Sequence, residues 1–377
     1  MTTTSAEELT TIARAAGLDA VGIAPAEPFT GTRRHLEERR AAGLHGGMAF
    51  TYRNPARSTD PAATVPGARA LVVGAKAYAT EAPLRPDGAA GRVARYAWTD
   101  HYDDLRAALR AVAERLKGDG WRAVVLADDN GLVDREAAYR AGLGWYGKNA
   151  NLLLPGRGSW FVLGSVVTDA SLEPAVAPVP DGCGACRRCL DGCPTGAIVA
   201  PGVVDARRCL AWLVQQPGPF PLEYRAALGD RIYGCDDCQE VCPPNRMATR
   251  MAAPPDSPVE AWVLLLELLS ATDDELLARH GRWYIAGRDP RWLRRNALVA
   301  LGNVGDRSDP RVTDALATFI AGPDPVLREH AIWAAQRLSS SPAAAPLRLA
   351  PTRSARQSVL PRPGRARQSR TPPITPP

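Results

Sequence analysis

A chain of 377 residues is too long for one ordinary domain and implies two or three, and its 45% share of hydrophobic residues is enough to bury a real core. The formal charge of +6 would suggest a general attraction to nucleic acid, but Arg348, Arg353, Arg356, Arg362, Arg365, Arg367 and Arg370 all lie beyond Ser340 with no acid among them. Without those seven the chain carries 39 basic against 40 acidic residues, which excludes an overall basic field and leaves only local patches for a polyanion.

The opening MTTTSAEELT reads as the cap and first turn of a helix, without the basic and apolar regions of a signal peptide. Arg33-Arg34 and Arg39-Arg40 have no apolar run behind them, and the most apolar window, 259–269, is far short of a membrane span and contains Glu260 and Glu267. A cytoplasmic protein with no membrane segment is therefore expected. Helical and strand patterns then alternate: helix over 6–16, strand over 20–24, helix over 32–42, strand over 68–74, helix over 102–117, strand over 123–127, helix over 133–141 and a strand pair around 160–167. That alternation predicts an α/β layer. A Pro/Ala/Val linker over 174–180 leads into a cysteine segment, and the pattern beyond Pro255 is helical only. The expected division is 1–173, 174–254, 255–340 and a disordered Arg/Pro-rich tail over 341–377. Within the helical part, residues 293–300 echo residues 327–334 at an offset of 34, a helical-repeat period.

All eight cysteines lie between Cys183 and Cys242. Cys183, Cys186, Cys189 and Cys193-Pro194 form C-x2-C-x2-C-x3-C-P, in which three thiolates hold one 4Fe-4S cube and the fourth crosses to a second. Cys235, Cys238 and Cys242-Pro243 supply most of the partner run, and Cys209 is the simplest missing ligand. Pseudo-symmetry assigns Cys183, Cys186, Cys189 and Cys242 to one cluster and Cys193, Cys209, Cys235 and Cys238 to the other. Two four-cysteine zinc sites are the alternative. Iron-sulfur clusters move electrons one at a time, so the chain should hold or dock a second site where they are used.

No G-x-G-x-x-G follows a strand and no Walker lysine motif appears, so a bound dinucleotide or ATP finds no support. The five histidines, His35, His45, His101, His280 and His330, show no ligating spacing. More suggestive is 128–149: the strand ending at Ala127 is followed by Asp128, Asp129 and an Asn-Gly turn, and Asp134 opens a helix. Two glycine- and aromatic-rich loops follow, at 142–149 and 156–160, where backbone freedom permits close approach to a large ligand and Lys148 is available to an anion. They also read as tight turns with buried tryptophans.

The stretches Arg231-Ile-Tyr-Gly-Cys-Asp-Asp-Cys-Gln-Glu-Val-Cys-Pro243 and Cys183-Gly-Ala-Cys-Arg-Arg-Cys-Leu-Asp-Gly-Cys-Pro-Thr-Gly-Ala-Ile198 closely resemble the epoxyqueuosine reductase family. So do Arg53-Asn54-Pro55, Pro66-Gly67-Ala68-Arg69, Arg140-Ala141-Gly142-Leu143-Gly144-Trp145, Gly147-Lys148-Asn149 and Gly158-Ser159-Trp160-Phe161; the likeness spans roughly residues 5–340. The resemblance implies an α/β cobalamin-binding catalytic core, a ferredoxin-like module with two 4Fe-4S clusters, and a HEAT-like helical domain for tRNA. It implies an oxidoreductase that removes the epoxide oxygen of epoxyqueuosine at the tRNA wobble position, the last step of queuosine biosynthesis, with reductive dehalogenases as relatives. The alternative is a dehalogenase-like or other corrinoid-dependent reductase that does not act on tRNA.

The same resemblance puts the proton-donating aspartate at Asp128, or at Asp129 if the turn slips by one residue, and leaves Asp134 as a helix-opening carboxylate. It implies cofactor contacts from Arg57, Tyr96, Lys148, Asn149, Ser159 and Trp160, a flavodoxin or ferredoxin as electron donor, a monomer, and phosphate contacts from Arg282, Arg288, Arg291, Arg294 and Arg295. The stretch from Tyr96 to Tyr102 departs from the family's usual Asp-Tyr-His and is one residue shorter.

Overall fold

The computed structural model describes residues 5–174 and 179–340. The expected linker lies partly, and the expected disordered tail wholly, outside the described residues. Helix α1 (Ala6–Ala15) is capped by Ser5, whose hydroxyl accepts from the Glu8 N–H at 3.1 Å. There follow β1 (Ala20–Pro25), α2 (Thr30–Ala41), α3 (Pro55–Ser58), β2 (Ala70–Ala77), β3 (Ala90–Val93), α4 (His101–Gly118), β4 (Ala123–Ala127), α5 (Asp134–Arg140), the small ribbon β5 (Trp145–Tyr146) and β6 (Leu152–Leu153), and β7 (Phe161–Thr168). A single strand occupies the place of the expected strand pair.

The main sheet has the order β1-β2-β7-β4 with every pair antiparallel. This departs from the expected α/β layer and makes the architecture α+β. Pro25 lies opposite Ala70, and Ala77 opposite Phe161, so each connection returns to the sheet end it left. Alternation of helix and strand does not fix strand direction; register does. Side-chain alternation then builds two cores. Val72 and Val166 meet the α4 stripe Leu105, Leu109, Val112 and Leu116 on one face; Leu71, Val73 and Val167 meet Ala137, Ala138 and Leu132 on the other. Each fully buried leucine or valine contributes roughly 1.5–3 kcal/mol.

The cysteine segment contains α6 (Arg188–Asp191), the hairpin β8 (Ile198–Ala200) and β9 (Val203–Val204), α7 (Leu210–Leu213), α8 (Leu222–Leu228), β10 (Arg231–Tyr233), α9 (Asp237–Glu240) and α10 (Pro243–Arg250). The prolines after Cys242 occupy the first turn of α10, where a missing N–H costs nothing. Beyond it come β11 (Trp262–Leu264), α11 (Leu265–Ser270), α12 (Asp273–His280), α13 (Arg291–Val304), α14 (Pro310–Ala321) and α15 (Pro325–Ser340). The last part is therefore not helical only. β3 pairs with β10 in parallel and with β11 in antiparallel, so one strand from each third of the chain shares a sheet, and the chain through Ser340 packs as one compact unit. The two echoing segments fall on α13 and α15, which approach closely enough that a Cβ on Gly302 would come within 2.7 Å of the Ala334 Cα.

Buried polar groups hold the parts in register. Asn245 on α10 is fully buried; its side-chain oxygen accepts from the Ser159 N–H, and its amide donates to Ser159 Oγ at 2.9 Å and to the Gln239 carbonyl at 3.0 Å. Gln239 donates to Ser159 Oγ at 3.1 Å and to the Tyr78 hydroxyl at 3.3 Å. From α13, fully buried Arg295 donates to the carbonyls of Leu213, Val214, Gln216 and Gly218, and Asn296 to those of Val214 and Ile232. His330 accepts from the Phe220 N–H on Nε2 at 3.0 Å and meets the Val326 carbonyl through Nδ1 at 2.6 Å, a geometry that needs the neutral ring.

Replacing Asn245 with Ala strands the Ser159 N–H and the Gln239 carbonyl and is expected to destabilise the fold by about 2–4 kcal/mol, read as a lowered unfolding midpoint. Burial pushes His330 down to about 4 from an ordinary 6.5. Its stabilisation is thus fully present above pH 6.5 and is lost as pH falls toward 4, at most about 3 kcal/mol. His330→Gln should flatten that part of the stability profile; an unchanged acid slope would contradict the assignment.

Candidate active site

The eight cysteines are all free of disulfides and partly exposed. The fold sorts them into two groups by mutual repulsion of their charged forms. Cys189 feels Cys183 and Cys186, and Cys242 feels Cys183, Cys189 and Cys186. Cys238 feels Cys235, Cys209 and Cys193, and Cys209 feels Cys193. This is the pseudo-symmetric division, with Cys209 brought to its group at the start of α7. Burial first, then neighbouring thiols, raises Cys242 to about 11, and burial followed by the Asp237 charge raises Cys235 to about 12. Thiols raised in this way ionise only beside strong positive charge, which a metal centre would supply. The Cys193 sulfur also accepts from the Ala197 N–H at 3.2 Å.

Four residues expected at a cofactor instead fasten the cysteine loops. Lys148 donates to the carbonyls of Gly184 at 2.6 Å and Cys186 at 3.0 Å, and Asn149 donates to the Cys238 carbonyl at 3.3 Å. Ser159 is consumed by Gln239 and Asn245. Trp160 retains 1% of its surface, with its indole N–H on the Asn245 carbonyl, so it presents no ring face to a ligand. The glycines of these loops serve close packing: a Cβ on Gly158 would lie 2.0 Å from Asn245 Oδ1. The roles of these loops as tight turns and as attachment points explain them without a direct cofactor contact. Arg57 is exposed at the end of α3, and Tyr96 is half-buried with its hydroxyl accepting from Gln215 at 3.2 Å.

At the end of β4 the chain turns through Asp128 at φ 53, the left-handed region that Asp tolerates better than most residues. The neighbouring Asp129 folds back so that its Oδ1 accepts from the Gly131 N–H at 2.6 Å, closing an Asx turn. Of the two candidates, Asp129 is spent on the turn and Asp128 is left facing outward. The Asp128 side chain is open to solvent by area, yet the surrounding protein withdraws enough water to raise its carboxyl, against the lowering influence of Arg106 and with the help of Asp100. Arg106 also reaches the Ala127 carbonyl at 3.4 Å, pinning the strand end.

Aromatic groups wall this face. Tyr102 has its hydroxyl raised by burial and by the charges of Asp128 and Asp134, and Tyr233 by burial with a contribution from Asp128. Tyr96 lies 6.2 Å from Tyr233 between ring centres. Arg135 is exposed, and its charge reaches Tyr78, Tyr102, Tyr146 and Cys209. Two buried oxygens beside the loop, Thr64 Oγ1 and Asp134 Oδ1, lack any hydrogen-bond partner. The partly buried rings of Tyr96 and Tyr102, an exposed cation and orphaned oxygens fit a face that takes a large ligand. The small cleft of about 60 Å³ between Arg95, Trp98, Cys235 and Asp236 has room for a few waters only and is a separate feature.

Sequence reasoning named Tyr96 but gave no role to Tyr102, Tyr233 or Arg135, because their convergence needs the antiparallel sheet. The arginines of the helical part are mostly engaged within the protein. Arg282 donates to the carbonyls of Trp98 and Thr99, Arg288 to that of Gly281, and Arg294 pairs with Asp273. Arg291 pairs with Asp289 and Asp324. Arg295 is fully buried and cannot meet a phosphate, a correction to the expected cluster.

Residues 182–245 match the 4Fe-4S double cluster binding domain family, which decides between iron-sulfur clusters and zinc. The chain is 38% identical over 346 residues to an epoxyqueuosine reductase of Xanthomonas campestris, covering 88% of this chain and 96% of the relative. It is 34% identical over 329 residues to that of Bacillus cereus, covering 84% and 85%. A crystal structure of an epoxyqueuosine reductase with an epoxyqueuosine-modified tRNA-Tyr stem loop superposes with a TM-score of 0.78 at 33% identity, covering 88% of this chain and 89% of that one. A Streptococcus thermophilus epoxyqueuosine reductase gives a TM-score of 0.79 at 29% identity. With an iron-sulfur segment matched and nearly the full length of its relatives covered, the chain belongs to the epoxyqueuosine reductase family.

Proposed function

We propose that this protein reduces epoxyqueuosine in tRNA to queuosine, with cobalamin as the reducing cofactor and two 4Fe-4S clusters as its electron supply. The observation that carries this reading is the likeness along almost the whole of both chains, including a relative bound to the modified tRNA stem loop. A corrinoid held against the Asp128 face would supply a strongly reducing cobalt. Arg57, Tyr96 and Arg135 are the residues of this chain best placed to hold it. A cobalt bound without a protein histidine accords with the absence of an Asp-x-His-x-x-Gly motif.

The chain's own residues account for the remaining needs. Cys193, Cys209, Cys235 and Cys238 are read as the ligands of one cluster, within reach of the Arg135 charge, and Cys183, Cys186, Cys189 and Cys242 as those of the other. Asp128 is the general acid: its carboxyl is raised by desolvation, so at neutral pH more of it carries the proton that the leaving oxygen needs. The helical part is read as the HEAT-like tRNA-binding portion, an external flavodoxin or ferredoxin as the donor, and the molecule as a monomer. No helix among the described residues is long and apolar enough to cross a membrane.

Reconstituted with iron and sulfide, then given cobalamin, a strong reductant and epoxyqueuosine-containing tRNA, the protein should yield queuosine on nucleoside analysis; its absence would sink this reading. Asp128→Asn should lower turnover by about 10²–10⁴-fold while cobalamin still binds, seen in its visible spectrum. Cys209→Ala should lower the iron content from about eight to about four atoms per chain. Retention of full iron in that variant would remove Cys209 from the ligand set.

A further inference from the structure

Removing an epoxide oxygen breaks two C–O bonds, forms one C=C bond and releases the oxygen as water, so each turnover consumes two electrons and two protons. The electrons enter from an external low-potential reductant by way of the clusters. Asp128 carries one proton, and the same loop holds a second carboxyl that the proposed mechanism leaves unused.

Asp134 opens α5 six residues after Asp128, and the Asp128 charge raises the Asp134 carboxyl across the 128–131 turn. Its Oδ1 is buried and has no hydrogen-bond partner. A carboxylate oxygen left so is costly, whereas a carboxylic acid hydroxyl pointing toward a face that later fills with ligand is not. The groups around it leave little to hold a charge. From α4 it is faced by Tyr102, while Arg106 and Asp100 act on Asp128; from its own turn come Asp128 and Asp129; from α5 comes Arg135. Arg135 and the Asp128 backbone N–H favour the ionised form, but burial and the two neighbouring acids oppose it and prevail, so the carboxyl stands well above its ordinary range.

We propose that Asp134 is kept as the neutral acid at pH 7 and is the proton reserve of the Asp128 loop, so that two adjoining carboxyls supply the two protons of each turnover. The proposal rests on the epoxide-reducing reading above. Asp134 acts through Asp128 and is a positioning and proton-holding residue, not one that touches the substrate.

Infrared difference spectra of the full chain carrying its iron-sulfur clusters, taken between pH 5 and 9 in H₂O and D₂O, test the protonation state without cobalamin or tRNA. The wild type should show at pH 7 a protonated-carboxyl C=O band that shifts in D₂O, persists in Asp128→Asn and is lost in Asp134→Asn. Absence of the band in the wild type, or its survival in Asp134→Asn, would overturn the proposal and leave the function untouched. In turnover, Asp134→Asn should lose roughly 10-fold at pH 7 and fall more steeply as pH rises, with Asp134→Glu restoring most of both. An unchanged rate and pH profile in Asp134→Asn also refutes it. Cluster absorbance and unfolding midpoint equal to wild type confirm that the variants are folded. Failure of the wild type to form queuosine would refute the parent reading instead, while the infrared result stands by itself.

Discussion

The fully buried amide of Asn245 is the bond on which the arrangement of cofactor sites depends. It sits three residues after Cys242, one of the eight thiols, and grips Ser159, at the entrance to β7 in the middle of the main sheet. Through Gln239 the same network reaches Tyr78, which follows β2. The end of the cysteine segment and the central strands of the main sheet therefore share one polar seam. Such a network is worth having only when every member is satisfied, and here both side-chain amides and the serine are. Electron transfer needs fixed distances; a flexible linker between the two parts would not supply them.

Sharing of strands adds a second constraint. β3 draws one strand from the cysteine segment and one from the helical part into a single small sheet, and Arg295 and Asn296 on α13 tie down the loop from Leu213 to Gly218. That loop carries Gln215, whose amide reaches Tyr96 on the aromatic wall. The helical part is thus coupled to the acid face by three steps of contact, although 119 residues of sequence separate Gln215 from Tyr96. A buried arginine with only carbonyl partners is costly as a source of stability, and its fit here is to specify one loop conformation.

Legibility in the sequence followed the range of each signal. The cysteine spacing, the helix stripe of α4 and the turn at Asp128 are local patterns, and each appears where spacing and periodicity put it. Strand direction is not local: Pro25 opposite Ala70 and Ala77 opposite Phe161 depend on where long connections return. Loop partners were hidden for a related reason. Lys148, Asn149 and Trp160 have the composition of ligand-binding residues, but their partners are the carbonyls of Gly184, Cys186, Cys238 and Asn245, and only the three-dimensional packing brings those near. Arg295 shows the same limit, since one position on an amphipathic helix separates a solvated arginine from a buried one.

The distribution of charge around Asp128 explains why the catalytic face is made of neutral or nearly neutral groups. Tyrosines 96, 102 and 233 are all held firmly in their protonated forms by burial, and the Asp128 carboxyl is shifted the same way. A face that must hand protons to a leaving oxygen beside an electron-rich centre gains from donors that are neutral before the reaction and need little solvent rearrangement to give their protons up. The cationic Arg135 is exposed, and its charge reaches both Tyr102 on this face and Cys209 in the cysteine segment, so one fixed positive charge acts on the acid loop and on the thiols alike.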